Sequence, residues 1–171
     1  MLLKSAHVYL RALEPVDLDF LFDLENDTSV WQVGNTLMPY SRFVLEQYLE
    51  NATQDIFTVK QLRLVICTHH HRAVGAIDLF DFEPQHQRAG IGIVVSGAER
   101  GKGYAAEALK VLLTYCQQIL QLHQVYCSVT ASNEASLHLF KKAGFTEIGV
   151  RKNWLRTPAG WQDVIEFQKL L

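Results

Sequence analysis

The sequence predicts an α/β (α+β) fold, with a mixed central sheet of about six to seven strands flanked by about four helices. Three observations predict it. Apolar spacing switches repeatedly between a period of two and one of about 3.6, the periods of strand and helix. Three apolar runs between residues 62 and 96, the first two joined across a polar turn, read as an antiparallel meander. After Gly103 a long helical pattern is followed by a strand, a short helix and two more strands.

Each element has a local cause. Val8-Tyr9-Leu10-Arg11-Ala12-Leu13 alternates as a strand does and stops before Pro15, whose missing N–H suits the first turn of a helix running to about Asn26. A polar loop containing aromatic residues follows. Ser41 is then placed to cap a second helix with Val44, Leu45, Tyr48 and Leu49 on one side. Residues 62–67 read as a buried strand and residues 73–80 as its hairpin partner, across the polar turn from Thr68 to Arg72. Residues 89–96 form the third strand and carry Gly90 and Gly92; glycine inside a strand marks a bulge or a close approach of the backbone to something else.

Ala105, Ala108, Leu109, Leu112, Leu113, Cys116, Ile119 and Leu120 then fall on one face of a helix, with Glu107, Lys110, Thr114, Gln117 and Gln121 opposite. Residues 125–129 are a strand. A short helix opens at Ser132-Asn133-Glu134 and closes at Ala143-Gly144-Phe145, with Gly144 as a left-handed cap. Residues 146–151 and 162–169 are the last two strands. The chain shows no repeat, low-complexity tract or linker, and its 171 residues are read as one domain, 1–171.

Sixteen Lys and Arg against eighteen Asp and Glu leave a net charge of −2, without the clustered basic footprint of a nucleic-acid binder or of a protein drawn to an acidic membrane surface. No apolar run approaches the ~18 residues of a membrane span, and the N-terminal residues lack a signal region, so the expected location is cytoplasmic. The three cysteines, Cys67, Cys116 and Cys127, are widely spaced and read as small core residues, not as a disulfide framework or a zinc site. His69-His70-His71 sits in a hairpin turn where neighbouring side chains diverge, and no metal is expected.

The chemistry centres on Val94-Val95-Ser96-Gly97-Ala98-Glu99-Arg100-Gly101-Lys102-Gly103-Tyr104-Ala105, a glycine-rich loop between a strand and the N-terminus of the strongest helix. Free first-turn amides and the positive end of the helix dipole make such a junction an anion site. Gly101-Lys102 lacks the earlier glycine of a P-loop, and Gly103 stands where its magnesium-binding hydroxyl belongs. Gly101-Lys102-Gly103-Tyr104-Ala105-Ala106 satisfies a dinucleotide fingerprint, but such a loop opens the first unit of a parallel sheet, and here an antiparallel meander precedes it.

Arg100-Gly101-Lys102-Gly103-Tyr104-Ala105 resembles the pyrophosphate loop of the GNAT superfamily of acyl-CoA-dependent N-acetyltransferases, and Asn133-Glu134-Ala135-Ser136 through Phe140-Lys141-Lys142-Ala143-Gly144-Phe145 resembles its second signature. Leu10-Arg11-Ala12-Leu13-Glu14-Pro15-Val16-Asp17-Leu18 is similar to the opening of the branch that holds ribosomal-protein N-terminal and spermidine/spermine acetyltransferases. The resemblance implies the GNAT fold, acetyl-CoA as co-substrate, and a small-molecule amine or peptide N-terminus as acceptor, in a monomer or homodimer. It implies that Ile93, Val94 and Val95 pair with the pantetheine arm where two parallel strands splay, and that Arg100, Gly101, Lys102, Gly103, Tyr104 and Ala105 hold the pyrophosphate. Asn133 either contacts the pantetheine or caps its helix. Phe140 falls on the cofactor side.

Direct attack on a thioester needs a neutral amine, and an aliphatic ammonium with a pKa near ~10.4 must lose a proton first. It also needs a donor to the developing oxyanion, here the Val94 amide beside an expected bulge. Two departures from the family stand out. Gly90 occupies the place of a carboxylate often found in this branch, which leaves Asp78, Asp81, Glu83 and His86 as the nearby candidate bases. Phe140 replaces the tyrosine that protonates the departing thiolate, leaving water, Ser136, His138 and Tyr104 unranked as donors. Trp31, Tyr40 and Trp154 are candidate acceptor contacts. An acetyl-CoA sensor without turnover, and a nucleotide-phosphate module, are the alternative readings.

Overall fold

The computed structural model describes residues 2–34 and 36–171. Strand β1 (Val8–Ala12) runs to Pro15, which opens a short 3-10 turn (Pro15–Asp17) leading into α1 (Leu18–Asn26). Asp17 locks this corner. Its buried carboxylate accepts from the Glu14 amide at 2.8 Å and from both terminal nitrogens of Arg11 at 2.7 Å. Helices α2 (Thr28–Gly34), α3 (Arg42–Asn51) and α4 (Ile56–Val59) follow. The Ser41 side chain caps α3 as expected, accepting from the Val44 amide at 3.2 Å. Helices α2 and α4 stand where only loop was expected. The four residues of α4 cannot display a helical period, and Asp55 holds the turn by accepting from the amides of Phe57 and Thr58.

The remaining elements are β2 (Leu62–Thr68), β3 (Ala73–Glu83), β4 (Arg88–Val95), α5 (Tyr104–Gln118), β5 (Gln124–Thr130), α6 (Glu134–Lys142), β6 (Thr146–Thr157) and β7 (Gly160–Leu170). The strands form one seven-stranded sheet in the order β1-β2-β3-β4-β5-β7-β6. Every neighbouring pair is antiparallel except β4 with β5. Helix α5 makes the crossover that a parallel pair requires.

Strand alternation divides the sheet into two faces. On one, Leu64, Ile66, Ile77, Leu79, Ala89, Ile91, Val125, Cys127 and Phe167 pack with Ala108, Leu109, Leu112 and Cys116 of α5 and Phe140 of α6 in a continuous core. On the other, Arg63 and Asp78 meet Glu25 of α1 and lie beside Tyr48 of α3, so these helices cover that face. The three cysteines are buried and free, and burial pushes the Cys116 and Cys127 thiols up to about 12, which leaves them inert.

Burial works to raise the Asp17 carboxyl, but the hydrogen bonds from Arg11 and the Glu14 amide outweigh it and hold the group below its ordinary value. A carboxyl depressed in the folded state contributes stability above its unfolded value of about 3.9, and that contribution is lost as pH falls through the folded value. Asp17→Ala should cost about 3 kcal/mol, the low end for breaking a buried pair because Arg11 is partly exposed. Urea unfolding of the variant and the parent at neutral pH measures this, and the difference should shrink on acidification.

Candidate active site

The feature that builds the site is a fork in the sheet. β4 pairs with β5 only at Arg88↔Gln124, Ala89↔Val125 and Gly90↔Tyr126. Beyond Gly90, β4 remains bonded to β3 through Val95, while β5 continues against β7 to Thr130. Ile91 to Val95 therefore have no ladder partner on the fork side among the described residues, and an extended ligand with its own amides can add there as a strand would. Ile93, Val94 and Val95 are half-buried and pair with Ile77, Ala76 and Gly75 in unbroken register. The bulge expected at Val94 is thus absent. The irregularity lies across the ladder in β3, between Phe80 and Glu83, where Asp81 takes a left-handed φ of 47°.

β4 runs into a 3-10 turn (Gly97–Glu99) and then the loop before α5. Gly101 (φ 76°) and Gly103 (φ 84°) are both left-handed, and an added Cβ at either would meet nothing within 4 Å, so backbone conformation and not crowding requires glycine. Gly103 is the N-cap of α5 and has no side chain to cap it, so the first-turn amides at Tyr104 and Ala105 are open to an anion. The loop's cations are engaged with the protein itself. Lys102 pairs with Glu99 at 2.9 Å, and Glu99 also meets Arg72 at 3.0 Å; the Lys102 hydrogen bond holds the Glu99 carboxyl below the usual range. Arg100 donates to the Val95 carbonyl at 3.1 Å and to Ser29 of α2 at 3.4 Å, tying the strand end to the helical layer. The first-turn amides, by contrast, have no side-chain cap.

The face covered by α1 and α3 explains why residue 90 carries no side chain. A Cβ at Gly90 would lie 2.2 Å from Cε2 of Phe80, 2.5 Å from Cζ and 2.7 Å from Cδ2. The Phe80 ring thus fills the space that a side chain at residue 90 needs, and it reaches across Gly90 to Tyr126, edge to face at 6.2 Å. Asp78 shares this face but is held by Arg63 in a two-point pair at 2.6 and 3.0 Å, and Glu25 takes a third nitrogen of the same guanidinium at 2.5 Å. Both Asp78 oxygens are thereby committed to that guanidinium and turned to the helical layer. Asp81 is exposed in the bulge. His86 lies in the turn Pro84–His86 before β4, beyond the closed end of the fork, and so is not brought to the open segment. Glu83 pairs with Arg88 at 3.0 Å.

On the opposite face, Phe140 is buried edge to face with Phe145 at 5.1 Å. The Asn133 side chain caps α6, accepting from the Ser136 amide at 3.2 Å. Trp31 donates its indole N–H to the Glu25 carbonyl at 2.8 Å, and the Tyr40 backbone is tied to Asn26, so both brace the end of α1. Trp154 is exposed on β6, stacked with Arg151. Among the described residues no group of three His, Cys, Asp or Glu side chains is placed to hold a metal, and no helix is long and apolar enough to cross a membrane. Phe80 and Tyr126 are the residues sequence reasoning missed. Tyr126 also lines a cavity of about 310 Å³ with Glu83, Arg88, Gln124, Ile148 and Gln168. A separate groove of about 570 Å³ lies between α5 and α6 on the other face.

A mixed sheet forked at its parallel pair, with a glycine-rich anion loop at the open end, defines an acyl-CoA-binding fold. The chain belongs to the acetyltransferase (GNAT) domain family, which matches residues 7–146. It is an acetyl-CoA-dependent N-acetyltransferase of primary amines. It is 32% identical over 148 residues to spermidine N(1)-acetyltransferase of Escherichia coli strain K12, covering 86% of this chain and 77% of that protein. It is similar to the crystal structure of Vibrio cholerae spermidine N-acetyltransferase in complex with CoA and spermine, with a TM-score of 0.87, 28% identity, and coverage of 97% of this chain and 96% of that one. A dodecameric structure of the Vibrio cholerae enzyme in an intermediate state matches with a TM-score of 0.81 at 30% identity, covering 97% and 95%.

Gly90→Glu alone should overpack against Phe80 and lower stability by about 1–3 kcal/mol. Phe80→Ala combined with Gly90→Glu should recover much of that loss and place a carboxylate at the fork. Thermal melts of the two single variants and the double variant test this: additive destabilisation would show that the residues do not compete for one space.

Proposed function

We propose that this chain acetylates one amino group of a polyamine, using acetyl-CoA bound in the β4–β5 fork. The observation that carries the reading is the open edge of β4 from Ile91 to Val95 beside the Gly101 and Gly103 amide loop; likeness to spermidine acetyltransferases supports the acceptor class. The pantetheine arm lies along Ile93, Val94 and Val95, and the pyrophosphate on the amides of Gly101 to Ala105, since the Arg100 amide of the expected set donates to the Gly97 carbonyl at 3.4 Å. The amine nitrogen attacks the thioester carbonyl carbon directly. The Val94 amide, as read from the sequence, donates to the oxygen on which charge develops. Asp81 lies near Tyr126 on the acceptor side and suits a cationic chain, while Glu83 and Glu166 beside it are paired with Arg88 and Arg151. The acceptor stands ahead of a peptide N-terminus on likeness. We extend the monomer-or-homodimer expectation to a higher homo-oligomer, place the protein in the cytoplasm, and treat 1–171 as one GNAT domain.

With residue 90 bare and Asp78 locked, the ammonium loses its proton to solvent, so kcat/KM should rise with pH toward the acceptor's own pKa near ~10. Mass spectrometry after incubation with acetyl-CoA should show one added acetyl group on spermidine or spermine. Acetyl-CoA binding with no acetylated polyamine, amino acid or N-terminal peptide would contradict the reading and favour a sensor. Stabilisation by ATP or NAD but not CoA would favour a nucleotide-phosphate module. Gly103→Ala forces a left-handed alanine costing roughly 1–2 kcal/mol, which would raise the KM for acetyl-CoA about tenfold.

A further inference from the structure

One glycine of the β3–β4 ladder meets no structural demand for glycine. A Cβ at Gly75 would collide with the Val94 carbonyl oxygen, and one at Gly90 would run into the Phe80 ring, so packing requires both of those. Gly92 is different. Its φ is not left-handed, and the three atoms nearest to an added Cβ stand at ordinary contact distance: Phe80 Cε1 at 3.8 Å, and Asp78 Cβ and Oδ2 at 3.9 Å. An alanine would fit there without displacing a neighbour. Glycine inside a strand costs stability, through its conformational freedom and its missing side chain, and where packing does not explain it a ligand approaching the backbone does. Side chains alternate along β4: Ile91 and Ile93 pack toward the core, while Gly90, Gly92 and Val94 take the face covered by α1 and α3. On that face Gly90 is buried under Phe80, whereas Gly92 is only half-buried, on the open edge of the strand and two residues before Val94.

We propose that Gly92 is a specificity-determining residue: its bare face is the window through which the acceptor amine reaches the thioester. The proposal rests on the acetyl-transfer reading above. With the pantetheine arm added in the plane of the sheet, as a strand would be, the thioester carbonyl turns one side to each face of the sheet. On the core side Ile91 is buried with Leu109, Leu112 and Phe140, and Ile93 packs against that cluster, so no amine arrives from there. On the other side β4 is bare at Gly92, between the Phe80 ring that covers Gly90 and the side chain of Val94. An attacking nitrogen must come within about 3–3.5 Å of the carbonyl carbon, and a Cβ at residue 92 would stand in that approach. The window is one residue long. It suits a primary amine on an unbranched carbon, with the Phe80 ring as an apolar wall for the methylenes behind the nitrogen; a branch next to the nitrogen would need Phe80 or Val94 to give way.

Gly92→Ala separates a window from a structural role, because the two move stability and activity in different directions. The melting temperature should be unchanged or raised, since alanine restricts the unfolded chain and fits the folded one. The Kd for acetyl-CoA should stay within about twofold, while kcat/KM for spermidine should fall ~10-fold or more. In the parent chain, spermidine methylated on the carbon next to each primary amine should be a poorer acceptor than spermidine by ~10-fold or more. A Gly92→Ala kcat/KM within about twofold of the parent would overturn the window, and so would a loss that accompanies a lowered melting temperature or weakened acetyl-CoA binding. Equal use of the methylated and unmethylated acceptors would overturn it as well. Each of these results would leave polyamine acetylation standing, whereas a parent chain that acetylates no amine would overturn both.

Discussion

The structure depends on one interrupted ladder. After Gly90, β4 leaves β5 and keeps a partner on one side only. Unpaired backbone N–H and C=O groups at a half-buried position are costly unless something else meets them, and a pantetheine arm carries amides of its own. The rest of the sheet holds this gap open. Six consecutive residues of β4 are clamped to β3, from Gly90 to Val95, and all seven residues of β5 to β7. Neither strand can swing across to close the gap without losing a complete ladder on its far side.

The charges obey the same logic. Arg100 and Lys102 look like phosphate ligands in sequence, yet Arg100 ties the end of β4 to α2 and Lys102 closes a chain of charge with Glu99 and Arg72. They shape the loop, and leave its turned amides at Tyr104 and Ala105 without a side-chain cap. On the face covered by α1 and α3, Arg63 gathers Glu25 and Asp78 between α1 and the sheet, and these pairs fix the helical layer. A net charge of −2 is compatible with the proposed anion site, because the binding is assigned to backbone geometry at one loop.

Much of this was legible in the sequence because it is local. The strand periods, the Ser41 cap, the long apolar stripe of α5 and the paired glycines at 101 and 103 each state their structure within a few residues. What was not legible depends on register or on partners distant in sequence. Gly90 announced a close approach, but that the approaching group is Phe80 follows only once residues 80 and 90 are opposed in the ladder. The bulge was expected in β4 and lies in β3, because glycine content marks where a bulge is tolerated and the mismatch of strand lengths decides where it falls. Helix α4 is too short to show a period. Tyr126 carried no motif; its place opposite Gly90 and against Phe80 comes from the register of β4 and β5, which no spacing records.

Hydrogen–deuterium exchange with and without saturating acetyl-CoA tests the central claim most directly, because it reads the amides themselves. Binding in the fork predicts slowed exchange at residues 91–95 of β4 and at residues 100–105, with the already paired β1–β2 ladder unchanged. Protection confined to the α5–α6 groove, or protection that spares residues 91–95, would contradict the account.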